Sequence, residues 1–94
     1  MTHELKTLPK YFDAIVVGEK TFEVRRDDRG FQKGHRLLLR KYGQTHSETA
    51  TYPLMYTGEH ILVEVVYLLR GEDGGEQVGI APGFVVLGIR VIQP

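Results

Sequence analysis

Apolar and polar positions change period several times along this chain, and each change predicts an element. His3-Glu4-Leu5-Lys6-Thr7-Leu8 predicts a first strand with Leu5 as its core contact. Pro9 suits the first turn of a helix. Tyr11, Phe12, Ile15 and Val16 then fall at helical spacing until Gly18, a natural C-terminal stop. At about two turns, such a helix needs tertiary packing to persist. From Thr21 the period drops to two, which places Phe22 and Val24 in the core and Thr21, Glu23 and Arg25 on a surface or cleft. Arg26-Asp27-Asp28-Arg29-Gly30 reads as a polar turn, Phe31 as a return to the core, and Gln32-Lys33-Gly34-His35 as a second turn.

In the second half, Arg36 to Tyr42 predicts a strand whose three leucines call for cover on both faces. Residues 43–53 have no clear period and read as a loop or a ragged hairpin, and Tyr56-Thr57-Gly58-Glu59 as a turn. Ile61 through Leu69 predicts a strand with Val63, Val65, Tyr67 and Leu69 on one face and Glu64 interrupting the other. Residues 71–83, glycine-rich and acidic at first, read as a mobile flap or an unstructured turn. Phe84 to Ile92 is the last strand, in which Gly88 marks a bulge or the close approach of another backbone. Five or six strands with one or two short helices predict a small, mostly β barrel of the α+β class.

A chain of 94 residues predicts one domain, spanning 1–94, with a single core. The absence of cysteine excludes a disulfide scaffold, a thiol nucleophile and a thiolate metal site. No apolar run approaches the roughly 20 residues of a membrane span, and the start lacks a signal-peptide apolar region, so a cytoplasmic protein without membrane partners is expected. The net charge of zero conceals an asymmetry. Residues 1–42 carry ten Lys and Arg against six acids, and residues 43–94 carry two against six. A basic half can attract phosphate, but a balanced total argues against strong non-specific nucleic-acid binding. Two halves that attract each other on one surface account for the same numbers.

The chemistry concentrates in Gly18-Glu19-Lys20-Thr21-Phe22-Glu23-Val24-Arg25. Same-side residues of a strand sit roughly 6.6 Å apart, so Glu23 and Arg25 can share a hydrogen-bonding group. Lys20 enters just before them, and the set of cation, hydroxyl, carboxylate and guanidinium suits an anionic or amide-bearing ligand. The plain alternative is a surface salt bridge of about 0–1 kcal/mol. Arg26 extends the cationic set. Lys6 and Lys10 are candidates for a basic rim, His3 for the cleft if the first strand lies beside the central one, and Tyr11 and Tyr42 for base stacking. His3, His35, His46 and His60 lack a ligand spacing such as i, i+4, so neither a metal nor any other cofactor is expected.

Gly18-x-Lys20-x-x-Glu23-x-Arg25 resembles the signature of the ASCH domain, a group of PUA-like β-barrels. The flanking segments His3-Glu4-Leu5-Lys6, Pro9-Lys10-Tyr11-Phe12, Phe31-x-x-Gly34, Tyr67-x-x-Arg70-Gly71 and Gly83 to Ile89 resemble a compact bacterial and phage branch of unknown function. The resemblance implies a barrel with a cleft beside the first helix, floored by the signature, and a role in binding RNA or nucleotides. His35 stands where that branch is expected to carry Asp. Some similar small proteins hydrolyse acylated cytidine nucleosides with the signature Lys, a Thr on the following strand and a distant Glu. Lys20 matches that Lys, but Glu23 stands at the Thr position, with Thr21 two residues earlier, and Glu64 and Glu72 are only candidates for the distant Glu. An unperturbed Lys is neutral in only about one part in 2,500 at pH 7. With Glu23 beside it, Lys20 is better suited to holding a phosphate or carbonyl than to attacking one. The expected function is therefore RNA or nucleotide binding by a monomer, with a small nucleoside amidohydrolase as the alternative and a protein-interaction module as the second.

Overall fold

A computed structural model describes residues 1–43 and 54–93. Alternation in the first residues builds β1 (Thr2–Thr7), which turns His3, Leu5 and Thr7 inward. The chain then turns at Leu8 into α1 (Pro9–Val16), with Pro at the helix start, where a missing N–H costs nothing. Phe12 and Ile15 bury against the sheet, Tyr11 and Val16 stay exposed, and Gly18 ends the segment with a positive φ of 82°. Next come β2 (Phe22–Arg26), β3 (Arg36–Gly43), β4 (Met55–Arg70), a short 3-10 turn (Gly75–Val78) and β5 (Phe84–Gln93).

The five strands form one sheet in the order β1-β3-β4-β5-β2. The β1–β3 pair is parallel and the other three are antiparallel. The fold is mostly β with one helix, and the sheet curls into a half-barrel around a core of Leu5, Phe12, Ile15, Phe31, Leu37, Leu39, Ile61, Val63, Val65, Val85, Leu87 and Ile89. α1 docks on β3, where Lys41 donates to Asp13 at 2.9 Å. Behind this contact, a Cβ at Gly43 would lie 2.6 Å from the Pro9 ring, so the end of β3 and the start of the helix touch with no side chain between them.

Four expectations are corrected. In β2 the facing is reversed: Phe22 is 44% exposed and Val24 53%, while Glu23 is 3% exposed and turned inward. In β4 a register shift between Val65 and Tyr67 resets the alternation, leaving Tyr67 exposed while Leu68 packs on the core. Residues Tyr56–Glu59 are part of β4 rather than a turn between strands. Gly58 has a φ of 94° there, within the irregular pairing opposite Arg40 and Tyr42. The segment 71–83 is tightly folded: Gly71 N donates to the Phe84 carbonyl and Ile80 N to the Gly75 carbonyl, both at 2.9 Å. A Cβ at Gly71 would lie 2.1 Å from the Ala81 carbonyl oxygen, a contact no side chain can make, which explains the glycine. Gly88 meets its expectation, pairing with Phe22 on one side and with Tyr67 on the other, where β4 is irregular. Beyond Gly43, the loop or hairpin read for residues 43–53 lies outside the described residues.

Candidate functional site

β1 and β2 stand at opposite ends of the strand order and share no backbone ladder. The curl of the sheet brings them close enough for side chains to join them. Arg25 Nη2 of β2 donates to the Lys6 carbonyl of β1 at 2.8 Å and to Thr7 Oγ1 at 3.1 Å. From the turn after β2, Arg29 Nη1 donates to the Glu4 carbonyl at 3.2 Å. Two alternate carbonyls on the open edge of β1 thus bond to guanidinium groups, where a closed barrel would supply backbone N–H groups.

A cleft of about 450 Å³ opens along this seam. It is lined by Lys6, Thr7 and Leu8 from the end of β1, Tyr11 from α1, and Lys20 and Phe22 to Arg25 from the signature segment. Glu23 is its electrostatic centre. Its Oε1 accepts from Lys20 Nζ at 2.5 Å and its Oε2 from Arg25 Nε at 2.9 Å. Such a carboxylate tolerates burial because two cations compensate it and both its oxygens are hydrogen-bonded. Lys20 Nζ also donates to the Phe22 carbonyl at 2.6 Å. The same nitrogen lies 5.2 Å from the centre of the Tyr11 ring and 4.9 Å from that of Phe22. A cation is therefore held between two half-exposed aromatic rings, by a carboxylate and a carbonyl beneath it.

Five of the expected site residues line this cleft: Lys6, Tyr11, Lys20, Glu23 and Arg25. Lys6 also lies over the Tyr42 ring, 4.6 Å from its centre. Arg26 is outside it: the residue lines a neighbouring hollow, and its guanidinium lies 5.1 Å from the centre of the Phe84 ring. Thr21 is a correction. It precedes β2, is exposed and is absent from the lining; its carbonyl accepts from Ile89 N at 3.0 Å, so its contribution is to the sheet. His3 is a second correction, being 7% exposed and packed edge-on against Phe31. Its Nε2 lies 3.0 Å from His35 Nδ1, which also accepts from Gln32 N at 3.2 Å. His35 thus caps its turn as the expected Asp would. Burial foremost, then His35, Arg29 and the N-terminal amine hold His3 below the ordinary imidazole pKa.

Thr7, Leu8, Phe22 and Val24 are lining residues that the sequence reading missed. Thr7 had a signal: it shares the inward face of β1 with Leu5. Phe22 and Val24 were displaced by the assumption that apolar residues of an amphipathic strand face the core. Among the described residues no group of three or more His, Cys, Asp or Glu could hold a metal ion, and no helix is long and apolar enough to cross a membrane.

Residues 2–89 match the model of a family described as Domain of unknown function (DUF3850). A 42-residue stretch is 40% identical to a protein of Escherichia phage P2 described as an uncharacterized 12.9 kDa protein in the GpA 3′ region. That stretch covers 45% of this chain and 38% of the phage protein, so the match spans less than half of either.

Proposed function

For a chain that belongs to the DUF3850 family, whose function is unknown, we propose a binding role: the seam cleft takes RNA or a nucleotide. The observation that carries this reading is the placement of Lys20 between the Tyr11 and Phe22 rings, with Arg25 and Lys6 in the same cleft. Aromatic faces stack on bases of any identity, and cations beside them engage the backbone. Glu23 offsets one of the three positive charges and orients Lys20 and Arg25 through its two oxygens. The likeness of Gly18-x-Lys20-x-x-Glu23-x-Arg25 to the ASCH signature supports the same assignment, in a PUA-like barrel.

Titration of the labelled protein with short single-stranded RNAs and nucleotides, followed by amide chemical shifts, tests this. Shifts are expected at Lys6, Tyr11 and Lys20 to Arg25. If about three phosphates are engaged, log K falls with log salt at a slope near −2. Lys20→Ala weakens binding and leaves the fold intact. An unchanged spectrum, or an affinity indifferent to salt, overturns the proposal.

Amide hydrolysis of an acylated nucleoside is the less supported reading. The Lys20 nitrogen is engaged as a donor to Glu23 and Phe22. Neither candidate for a distant carboxylate lines the cleft: Glu64 pairs with Arg90, and Glu72 accepts from Gly83 N at 2.5 Å. Product release from a panel of acylated nucleosides that is lost in Lys20→Ala would favour hydrolysis instead.

A further inference from the structure

The seam holds a second hollow, of about 230 Å³, lined by Leu5, Arg25, Arg26, Asp28, Arg29 and Phe31. Arg25 lines both hollows, so they adjoin at this residue. Their chemistry differs. The first offers aromatic faces; the second offers three arginines and one carboxylate over an apolar floor of Leu5 and Phe31.

The three arginines keep donors in reserve. Arg25 uses Nε and Nη2 in its bonds to Glu23, Lys6 and Thr7. Arg29 uses Nη1 on the Glu4 carbonyl. Among the described residues, Arg25 Nη1, Arg29 Nε and Nη2, and the whole Arg26 guanidinium make no hydrogen bond. Arg26 lies against the Phe84 ring, a contact that spends none of its N–H donors. Arginines fixed at the stem with unspent fork donors match a tetrahedral dianion well. Asp28 works against that charge from the same wall.

We propose that this second hollow is a phosphate subsite, so that the ligand of the seam is a nucleoside phosphate lying across Arg25. The base lies against Tyr11 and Phe22, and the phosphate lies between Arg26 and Arg29. This rests on the nucleotide-binding reading of the first cleft and narrows it, because a bare nucleoside would leave the second hollow unfilled.

The test titrates the protein with the four ribonucleosides, with their 5′- and 3′-monophosphates, and with inorganic phosphate, following amide shifts on both sides of Arg25. At least one monophosphate series is expected to bind about tenfold or more tightly than its nucleosides, the worth of one charge-assisted hydrogen bond. Its shifts are expected to spread from Tyr11 and Lys20 to Arg26 and Arg29. Arg29→Gln removes the advantage of the phosphate and keeps nucleoside binding. Asp28→Asn enlarges the advantage, a gain that a damaged fold would not produce. If nucleosides and monophosphates bind equally, or if Arg29→Gln and Asp28→Asn leave the gap unchanged, the subsite is overturned while the first cleft stands. If inorganic phosphate alone shifts Lys20 rather than Arg29, the phosphate belongs in the first cleft and the subsite is likewise overturned. If no member of the panel binds, both assignments fall.

Discussion

The β4–β5 junction and the β1–β2 seam are two ways of joining strands in one sheet. The first is a long antiparallel ladder with apolar residues beneath it: Val63, Val65, Val85, Leu87 and Ile89 are all buried. The second has no ladder and is laced by the Arg25 and Arg29 side chains, with Glu23 buried between Lys20 and Arg25. Backbone pairing leaves neither donors nor space for a ligand. Side-chain lacing leaves both, and every charged group proposed here to meet a ligand lies along it. The unclosed join of this half-barrel is where its fold and its proposed binding chemistry share atoms.

Perturbing each join separately tests that division. Leu87→Ala, beneath the ladder, is expected to cost the most, about 2–5 kcal/mol by urea unfolding; a loss below about 1 kcal/mol would mean the ladder is not the stable half. Glu23→Ala, in the seam, leaves two cations without their shared carboxylate. Removing one partner of a fully buried pair costs about 3–5 kcal/mol, and the partial exposure of Lys20 and Arg25 brings the expected figure to about 2. Recovery toward wild-type stability in Glu23→Leu combined with Arg25→Met would show that this loss is electrostatic.

Acid should weaken the His3 corner by less. His3 is held below its ordinary value of 6.5, chiefly by burial. The unfolded chain therefore binds this proton more readily than the folded one, so stability rises with pH and is lost as the pH is lowered. The His3 contribution is complete above about pH 6.5 and shrinks as acid is added, until the folded-state value has been passed. His3→Gln, which keeps a donor toward His35, should flatten the pH dependence of the urea midpoint between pH 7.5 and 5; equal slopes would exclude His3 as its source. The smallest stability change is expected for Phe22→Ala, under about 1 kcal/mol because the ring is half exposed. Its effect should show in ligand binding instead, at roughly tenfold for a lost stacking face.

Much of this architecture was legible in the residues themselves. Alternation or apolar runs located β1, β3, β4 and β5, and Pro9 and Gly18 bracketed the helix, because these signals are local. The signature segment named Lys20, Glu23 and Arg25 as one cluster, and they share hydrogen bonds in the cleft. Its facing was not legible. Alternation separates two faces of a strand without saying which is inside, and here the buried position went to a carboxylate satisfied by its own neighbours. Tyr67 was misplaced because a bulge shifts the side-chain alternation without a signal in composition. Thr21 and Thr7 exchanged roles for a further reason: which edge strand faces β2 depends on the sheet order, and no local pattern encodes it.

The contact between Gly43 and Pro9 gives the mouth of the cleft a hinge stop at its rear. Leu8 caps the helix that begins there and Tyr11 rides on it, so a contact outside the cleft lining fixes where one wall of the cleft starts. Replacing Gly43 with even a methyl-bearing residue would wedge the helix away from β3 and move the Tyr11 wall outward. The cleft would then be widened from behind, with every side chain that lines it left as it is.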